Sequence, residues 1–141
     1  MLSQKGRYAL KALTYLTRHE GEAPSHVKAI AEAQNIPYKF LEGIMSDLRR
    51  ADLVSSVRGK YGGYILARPA TEIMFGDVIR AIDGPLAMVP CASIHFYRRC
   101  DDCDEEALCA IRRVLRGVRD EASEILDKTS LSEAVALAMT D

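Results

Sequence analysis

Residues 26–66 read HVKAIAEAQNIPYKFLEGIMSDLRRADLVSSVRGKYGGYIL. The spacing of apolar side chains predicts two short helices, over 27–34 and 38–51, separated by Asn35-Ile36-Pro37. Pro37 ends the first helix and suits the start of the second, because it lacks an N–H group and presets φ. This is the spacing of a helix-turn-helix, and the alternative is a pair of short helices in another α-helical domain. The apolar residues that would share the core between the two helices are Ile30, Ile36, Leu41 and Ile44.

A predicted hairpin follows the second helix directly. The segments 53–57 and 64–67 are typical of strands, and between them lies Arg58-Gly59-Lys60-Tyr61-Gly62-Gly63. Its glycines supply positive φ at the turn, and its cations lie at the tip. A hairpin in this position indicates a wing, with Arg58 placed to enter a DNA minor groove. The alternative is an ordinary hairpin whose cations are incidental.

Helices are also predicted on both sides of this segment. An apolar stripe predicts a helix over 4–18, and a short helix over 75–83 would be closed by Gly84-Pro85. Ser25 stands where the N-cap of the helix over 27–34 belongs. The fold class predicted is therefore mainly α with a small β-hairpin: a winged helix-turn-helix domain plus a long C-terminal dimerisation helix.

The longest predicted helix covers 104–127, with acidic residues in its first turn where the helix dipole favours them. Its apolar side chains repeat at alternating spacings of three and four, a seam typical of paired helices, although packing on its own domain is the alternative. The predicted dimer interface is Leu108, Ile111, Leu115, Val118, Ala122 and Ile125. Arginines 112, 113, 116 and 119 lie off this seam, on a face expected to be solvated. The predicted divisions are 1–85 for DNA binding, 86–103 for a cysteine-bearing loop and 104–141 for dimerisation and a C-terminal helical segment.

Charge is distributed unevenly along the chain. Residues 1–70 carry 11 lysines and arginines against 6 acidic residues, whereas residues 71–141 carry 8 against 14. A basic N-terminal half fits a polyanionic partner such as DNA. No apolar run is long enough to span a membrane and no secretory signal is visible, so we expect a cytoplasmic protein with no membrane partner. In that compartment the cysteines are reduced or metal-bound rather than paired in structural disulfides.

All four cysteines fall in one segment, as C-x8-C-x2-C-x5-C: Cys91, Cys100, Cys103 and Cys109. Thiolates of this number ligate an iron–sulfur cluster or close a zinc site, and the spacing alone does not choose between them. Free redox-active thiols are a further alternative. His95 lies inside the segment and could replace one ligand, although an exposed loop histidine is the simpler interpretation. No phosphate-binding loop or nucleophile motif is present, so we expect no enzyme; a thiol oxidoreductase acting through the C-x2-C pair is the one enzymatic alternative.

Four stretches carry a resemblance to a known family: LSQKGRYAL at 2–10, IPYKFLE at 36–42, LVSSVRGKYGGY at 53–64 and VIRAIDGPL at 78–86. The chain resembles the Rrf family of winged helix-turn-helix regulators over nearly its whole length. The resemblance implies a homodimer on an imperfect palindrome of double-stranded DNA, usually repressing. It also implies a 2Fe–2S or 4Fe–4S cluster on three cysteines of this region and a fourth, variable ligand. Some members lack a cluster and answer to a partner enzyme, so an enzyme partner stays open.

The chain departs from the family pattern at several positions. Cys91, Cys103 and Cys109 match the usual ligands, but Cys100 is additional, and the trio Cys91, Cys100 and Cys109 is also allowed. A ligand histidine of one family member is replaced by Arg112, which makes Cys100 the candidate for the fourth ligand. A recognition-helix glutamine of the same member is replaced by Gly43, which leaves the operator sequence unpredicted.

Together these observations predict a DNA-binding regulator whose cluster reports iron, redox or nitrosative state. The alternatives are zinc or free thiols at the same cysteines, a protein-docking module and the oxidoreductase. Tyr38, Lys39 and Glu42 begin the recognition helix and are expected to meet base edges in the major groove. The complete set expected at the DNA is Ser3, Lys5, Ser25, Tyr38, Lys39, Glu42, Arg49, Arg58, Gly59, Lys60, Tyr61, Gly62, Gly63 and Tyr64.

Overall fold

The computed structural model describes residues 2–139. Its helices and strands are α1 (Gln4–Arg18), α2 (Val27–Gln34), α3 (Tyr38–Arg50), β1 (Val54–Val57), β2 (Gly63–Leu66), α4 (Phe75–Ile82), α5 (Ala110–Leu126) and α6 (Leu131–Ala138). Short 3-10 turns lie at Ala70–Glu72, Pro90–Ala92 and Glu106–Leu108. The predicted fold class is confirmed, since helices dominate and the two strands form one antiparallel hairpin.

The turn between α2 and α3 is built as the sequence predicts. Asn35 ends α2 in the left-handed conformation, at φ 54° and ψ 52°. The Ile36 N–H then donates to the Ala31 carbonyl at 2.9 Å, which directs the Ile36 side chain inward, where it is buried. Pro37 precedes the first residue of α3, consistent with its lack of an N–H to donate. The helix-turn-helix is therefore a compact pair with one shared core.

The core lies where α1, α2 and α3 meet. Its fully buried large side chains include Leu13, Ile30, Leu41, Ile44 and Leu48. Each is contributed by the inner face of one of these three amphipathic helices, and burying an aliphatic side chain of this size stabilises a fold by about 1.5–3 kcal/mol. The site elements, α3 and the hairpin, are thus held on a rigid support.

The C-terminal helix α6 closes the same core. Leu131 is fully buried in it, and the Leu131 N–H donates to the Ile73 carbonyl at 2.9 Å. Met74 and Ser130 form a β-bridge, and Ser130 caps α6 by accepting from the Glu133 N–H at 3.1 Å. Although the sequence groups α6 with the dimerisation helix, its packing lies against the winged domain.

Ser25 adds a third, one-residue strand contact to the two-stranded hairpin. β1 and β2 pair from Val54 with Leu66 to Val57 with Gly63, and Ser25 bridges Tyr64 with backbone hydrogen bonds of 2.8 and 3.0 Å. The prediction that Ser25 caps α2 is therefore wrong: His26 takes the N-cap position without a side-chain bond, because the Ser25 backbone is committed to the hairpin.

The start of the longest helix was also predicted wrongly. α5 begins at Ala110 rather than at 104, after the 3-10 turn Glu106–Leu108. Cys109 is its N-cap, and its sulfur accepts from the Arg112 N–H at 3.4 Å. The acidic residues that were expected in the first turn therefore precede the helix and belong to the cysteine-bearing segment.

Within residues 2–139, no helix combines the length and the apolar character that crossing a membrane requires.

Candidate nucleic-acid interface and cysteine segment

The first turn of α3 presents side chains to solvent. Tyr38 is 47% exposed, and Lys39 and Glu42 are exposed beside it. Arg49 is exposed at the other end of the helix. The face opposite these residues carries the core side chains of α3, so packing fixes which side of the helix looks outward.

Phe40 is an exposed residue of this surface that the sequence analysis missed. It is 42% exposed, and its ring contacts the edge of Tyr8, with centroids 5.6 Å apart and planes at 77°. Such edge-to-face pairs are a favoured aromatic arrangement. Nothing in the local sequence distinguishes Phe40 from a core residue.

The wing tip is open. Arg58, Gly59 and Lys60 are exposed, and Tyr61 is 79% exposed with the Lys60 ammonium 5.5 Å from its ring centroid. Arg58 forms no ion pair with any residue in the described part of the chain. Both cations are therefore available to an outside anion.

The rest of the predicted wing residues shape the hairpin. A Cβ on Gly62 would lie 2.1 Å from the Val57 carbonyl oxygen, and one on Gly63, at φ +147°, would lie 2.4 Å from the Ser25 oxygen. Tyr64 is half-buried against the core. Gly62, Gly63, Tyr64 and Ser25 thus position the tip rather than project from it.

Ser3 and Lys5 hold α1 against its neighbours. Ser3 caps α1 by accepting from the Gly6 N–H at 2.9 Å, and its own N–H donates to the Asp83 carboxylate at 2.8 Å. The Lys5 ammonium lies 2.6 Å from the Asp47 carboxylate, and this hydrogen bond is the main reason that the pKa of Asp47 falls below its ordinary value. Sequence alone offered no signal for these partners, which are distant along the chain.

The four cysteines lie on one segment of the chain but do not converge on one point. All are free thiols; Cys91 is buried and the other three are half-buried. The Cys100 sulfur lies 3.8 Å from the Cys91 sulfur, and the Cys103 N–H donates to the Cys100 carbonyl at 3.2 Å. The hydrogen bond to Cys91, together with partial burial, raises the pKa of the Cys100 thiol.

The donor set has the soft thiolate chemistry that iron–sulfur clusters and zinc require. Within residues 2–139, however, no three histidine, cysteine or acidic side chains are arranged to hold a metal ion. His95 does not supply a further ligand beside the cysteines, because it lines a separate cavity of about 100 Å³ with Arg80 and Asp127. A metal group would therefore fit the chemistry of the segment but would need Cys103 and Cys109 to move toward the Cys91–Cys100 pair.

Two arginines fix the cysteine segment to α5, which corrects the expectation of a wholly solvated arginine face. The Arg112 Nε donates to the Cys91 carbonyl at 3.0 Å, and Arg119 donates to the Ala92 carbonyl. The Arg119 side chain is only 11% exposed. Arg113 and Arg116 are exposed as expected. The sequence could not reveal the first pair, because their acceptors are backbone carbonyls of a 3-10 turn.

An apolar stripe runs along the outer face of α5. Ile111 is 68% exposed, Val114 66%, Val118 46% and Ile125 64%. Leu108, in the preceding turn, is 75% exposed. Val114 was missed by the predicted seam, whereas the predicted Leu115 and Ala122 are half-buried.

A helix-turn-helix followed by a glycine-supported hairpin with free cations defines the class of protein: a winged helix-turn-helix, DNA-binding transcription regulator. Residues 2–137 match the Rrf2 family model, described as iron-dependent transcriptional regulators, and the chain belongs to this family. Its members are transcription regulators, which excludes the oxidoreductase alternative.

Known relatives agree with this assignment. An rrf2-like HTH-type regulator of Rhodobacter capsulatus is 39% identical over 139 residues, covering 96% of this chain and 93% of the relative. The structure of CymR, the global cysteine regulator of B. subtilis, is 36% identical with a TM-score of 0.81, covering 97% of each chain. The structure of T. potens IscR is 33% identical with a TM-score of 0.76, covering 98% of this chain and 88% of that one.

Proposed function

We propose that the protein is a homodimeric, sequence-specific regulator, acting chiefly as a repressor, whose cysteine segment senses iron, redox or nitrosative state through an iron–sulfur cluster. The observation that carries this proposal is the contact between the cysteine segment and α5. Arg112 and Arg119 join the backbone of that segment to the helix that carries the exposed apolar stripe. A change at the cysteines thereby reaches the surface at which two copies would meet.

The apolar stripe supports dimerisation. Four aliphatic side chains at the spacing of one helix face stay 46–68% exposed, which is unusual for a monomer that must remain soluble. A two-fold pairing through this stripe would bury it symmetrically. It would set the two recognition helices about 34 Å apart, one turn of DNA, which suits an imperfect palindrome.

The DNA contacts follow from exposure. Tyr38, Lys39 and Glu42, on the open first turn of α3, would read base edges in the major groove. Arg58, which is unpaired among the described residues, would enter the adjacent minor groove, with Lys60 beside a phosphate. Arg49 would contact the backbone, whereas Ser3, Lys5, Ser25 and the residues 62–64 would act mainly by holding these elements in place.

Cys91, Cys103 and Cys109, with Cys100 as the fourth ligand, are the residues that would hold the cluster. When bound, such a group supplies reversible one-electron chemistry and reactivity toward small oxidants. The protein's own part would be to anchor Cys91 firmly and leave Cys100 and Cys103 adjustable. Cys91 is buried and its carbonyl is held by Arg112, whereas Cys100 and Cys103 lie in an irregular, more exposed stretch.

A regulator without a cluster is the second candidate. It is favoured by the incomplete convergence of the thiols and by the similarity to CymR, a cysteine regulator. In this case zinc, the free thiols or a partner enzyme would control DNA binding at the same segment.

Anaerobic purification, with a visible spectrum and iron and sulfide analysis, separates the two candidates. A brown protein with iron and sulfide in equal amounts would support the cluster, and a colourless protein that cannot be reconstituted would contradict it. Operator affinity is then compared between loaded and metal-free protein, where coupling of about 1–3 kcal/mol would change binding roughly 5–150-fold. Equal affinity for the same operators would refute the sensor.

A further inference from the structure

We infer that Cys91 and Cys100 form a reversible intramolecular disulfide when the segment carries no metal, and that hydroperoxides are the oxidant class that makes it. The inference rests on the proposed function in one respect, that this segment is the sensor. It names a second chemical state of the segment, distinct from a metal-bound one.

The geometry singles out this pair. The two sulfurs are 3.8 Å apart, and an S–S bond of about 2.05 Å requires an approach of less than roughly 2 Å. Cys103 makes only a backbone contact with Cys100, and the Cys109 sulfur is engaged by the Arg112 N–H. Of the thiol pairs in the described chain, this is the one whose sulfurs are hydrogen-bonded to each other.

The surroundings give the two sulfurs different tasks. Cys91 is 6% exposed, and its backbone is fixed to α5 because the Arg112 Nε donates to its carbonyl. Cys100 is half-buried at the end of a stretch, 94–99, in which every residue is exposed. The accessible Cys100 is therefore the thiol that meets the oxidant, and the fixed Cys91 is the thiol that resolves it.

The two steps balance. The Cys100 sulfur attacks one peroxide oxygen, the S–O bond forms as the O–O bond breaks, and the leaving alkoxide or hydroxide takes the proton of the Cys100 thiol. The Cys91 sulfur then attacks Cys100, the S–S bond forms as the S–O bond breaks, and the oxygen leaves as water with the Cys91 proton. Two electrons pass from the two sulfurs to the peroxide, and any dithiol reductant reverses the process.

The Cys91–Cys100 disulfide would stiffen the segment to which α5 is hydrogen-bonded. In the reduced protein the exposed stretch 94–99 is joined to the 3-10 turn Pro90–Ala92 through the chain and a backbone hydrogen bond from the Arg98 N–H to the Pro90 carbonyl at 3.3 Å. Oxidation closes a covalent ring over residues 91–100, and this ring is tied to α5 by Arg112 and Arg119. The disulfide and a bound cluster exclude each other, because both require the Cys91 sulfur.

The test uses two matched full-length variants, each retaining Cys91 and one possible partner. C103S/C109S keeps Cys91 and Cys100, whereas C100S/C109S keeps Cys91 and Cys103. Serine retains the N-cap role at position 109 in both. Each variant is made metal-free, reduced, treated with hydrogen peroxide, and followed by loss of free thiols on a non-reducing gel. After thiol blocking and tryptic digestion, cleavage at Arg98 and Arg99 separates the two cysteines, so a bridged pair appears as two linked peptides.

We expect the Cys91–Cys100 variant to lose both thiols within one chain roughly tenfold or more faster than the Cys91–Cys103 variant. The reason is that the Cys91 and Cys100 sulfurs are already in contact in the reduced protein, so little rearrangement precedes the bond. A reducing agent should restore both thiols. Equal rates, linkage between chains, or oxidation that stops at one thiol would overturn the inference. Circular dichroism of the reduced variants excludes misfolding as the cause of a negative result, and metal-free wild-type protein must yield the same linked peptides. None of these readouts depends on a cluster, so a failed reconstitution and a failed disulfide are separate results.

Discussion

The apolar stripe on α5 allows the strongest quantitative prediction. Complete burial of a valine or isoleucine is worth about 1.5–3 kcal/mol, and Val114 and Val118 keep 66% and 46% of their surface exposed. If dimerisation covers what remains, the two side chains contribute about 2 kcal/mol in each protomer, or about 4 kcal/mol in a symmetric dimer. Replacing both with glutamate would raise the dimer dissociation constant at least about 1,000-fold, and like charges facing each other across the two-fold axis would add to this.

Sedimentation equilibrium over a range of concentrations measures that constant directly. Neither valine packs in the core of its own chain, so V114E/V118E should keep the melting temperature of the isolated protomer. R113Q is the matched control, since it changes the charge at one position by the same amount on the opposite, arginine-bearing side of the helix. We expect R113Q to stay dimeric and to keep operator binding. A double-glutamate variant that dimerises as tightly as wild type would refute the reasoning and place the interface elsewhere.

Three further predictions test the wing, its support and the end of α5. R58A should weaken operator binding by about 1–3 kcal/mol in a gel-shift titration at fixed salt if the guanidinium reads the minor groove, and unchanged affinity would remove it from the interface. G63A should lower the melting temperature, because its Cβ would lie 2.4 Å from a backbone oxygen, whereas G59A, with positive φ but open space, should lower it less; the reverse order would contradict the role given to this glycine. The two hydrogen bonds from Arg80, at 2.7 and 2.8 Å, lower the pKa of Asp127, so its contribution to stability is complete above the unfolded value near 3.8 and is lost as pH falls through the folded value. Chemical denaturation from pH 7 to pH 3 should therefore show a smaller acid-induced loss in D127N, and an identical loss in both proteins would assign the acid sensitivity to other groups.

The local sequence pattern was sufficient to predict the helices and the hairpin of the winged domain. The bounds of α1 and α2 were predicted at both ends, and the helix-turn-helix and hairpin were predicted from residues 26–66. These elements depend on interactions a few residues apart: helical periodicity, a proline at a helix start and glycines at a turn. The four thiols and the exposed first turn of α3 could be identified for the same reason, since their residue types and spacing are visible in the chain.

Long-range contacts decided the rest. Ser25 serves the hairpin instead of α2 because Tyr64, far along the chain, offers both backbone partners. Arg112 and Arg119 are not solvated as predicted, because they donate to carbonyls of the 3-10 turn Pro90–Ala92.

The sequence by itself determined the class of fold and the location of the thiols, because short-range propensities and spacing specify both. Only the tertiary structure decided which thiols meet, which face of α5 stays open and which cations remain unpaired. Those properties depend on which distant segments are brought together, and a helical period that marks an apolar stripe cannot say how much of it the chain's own loops will cover.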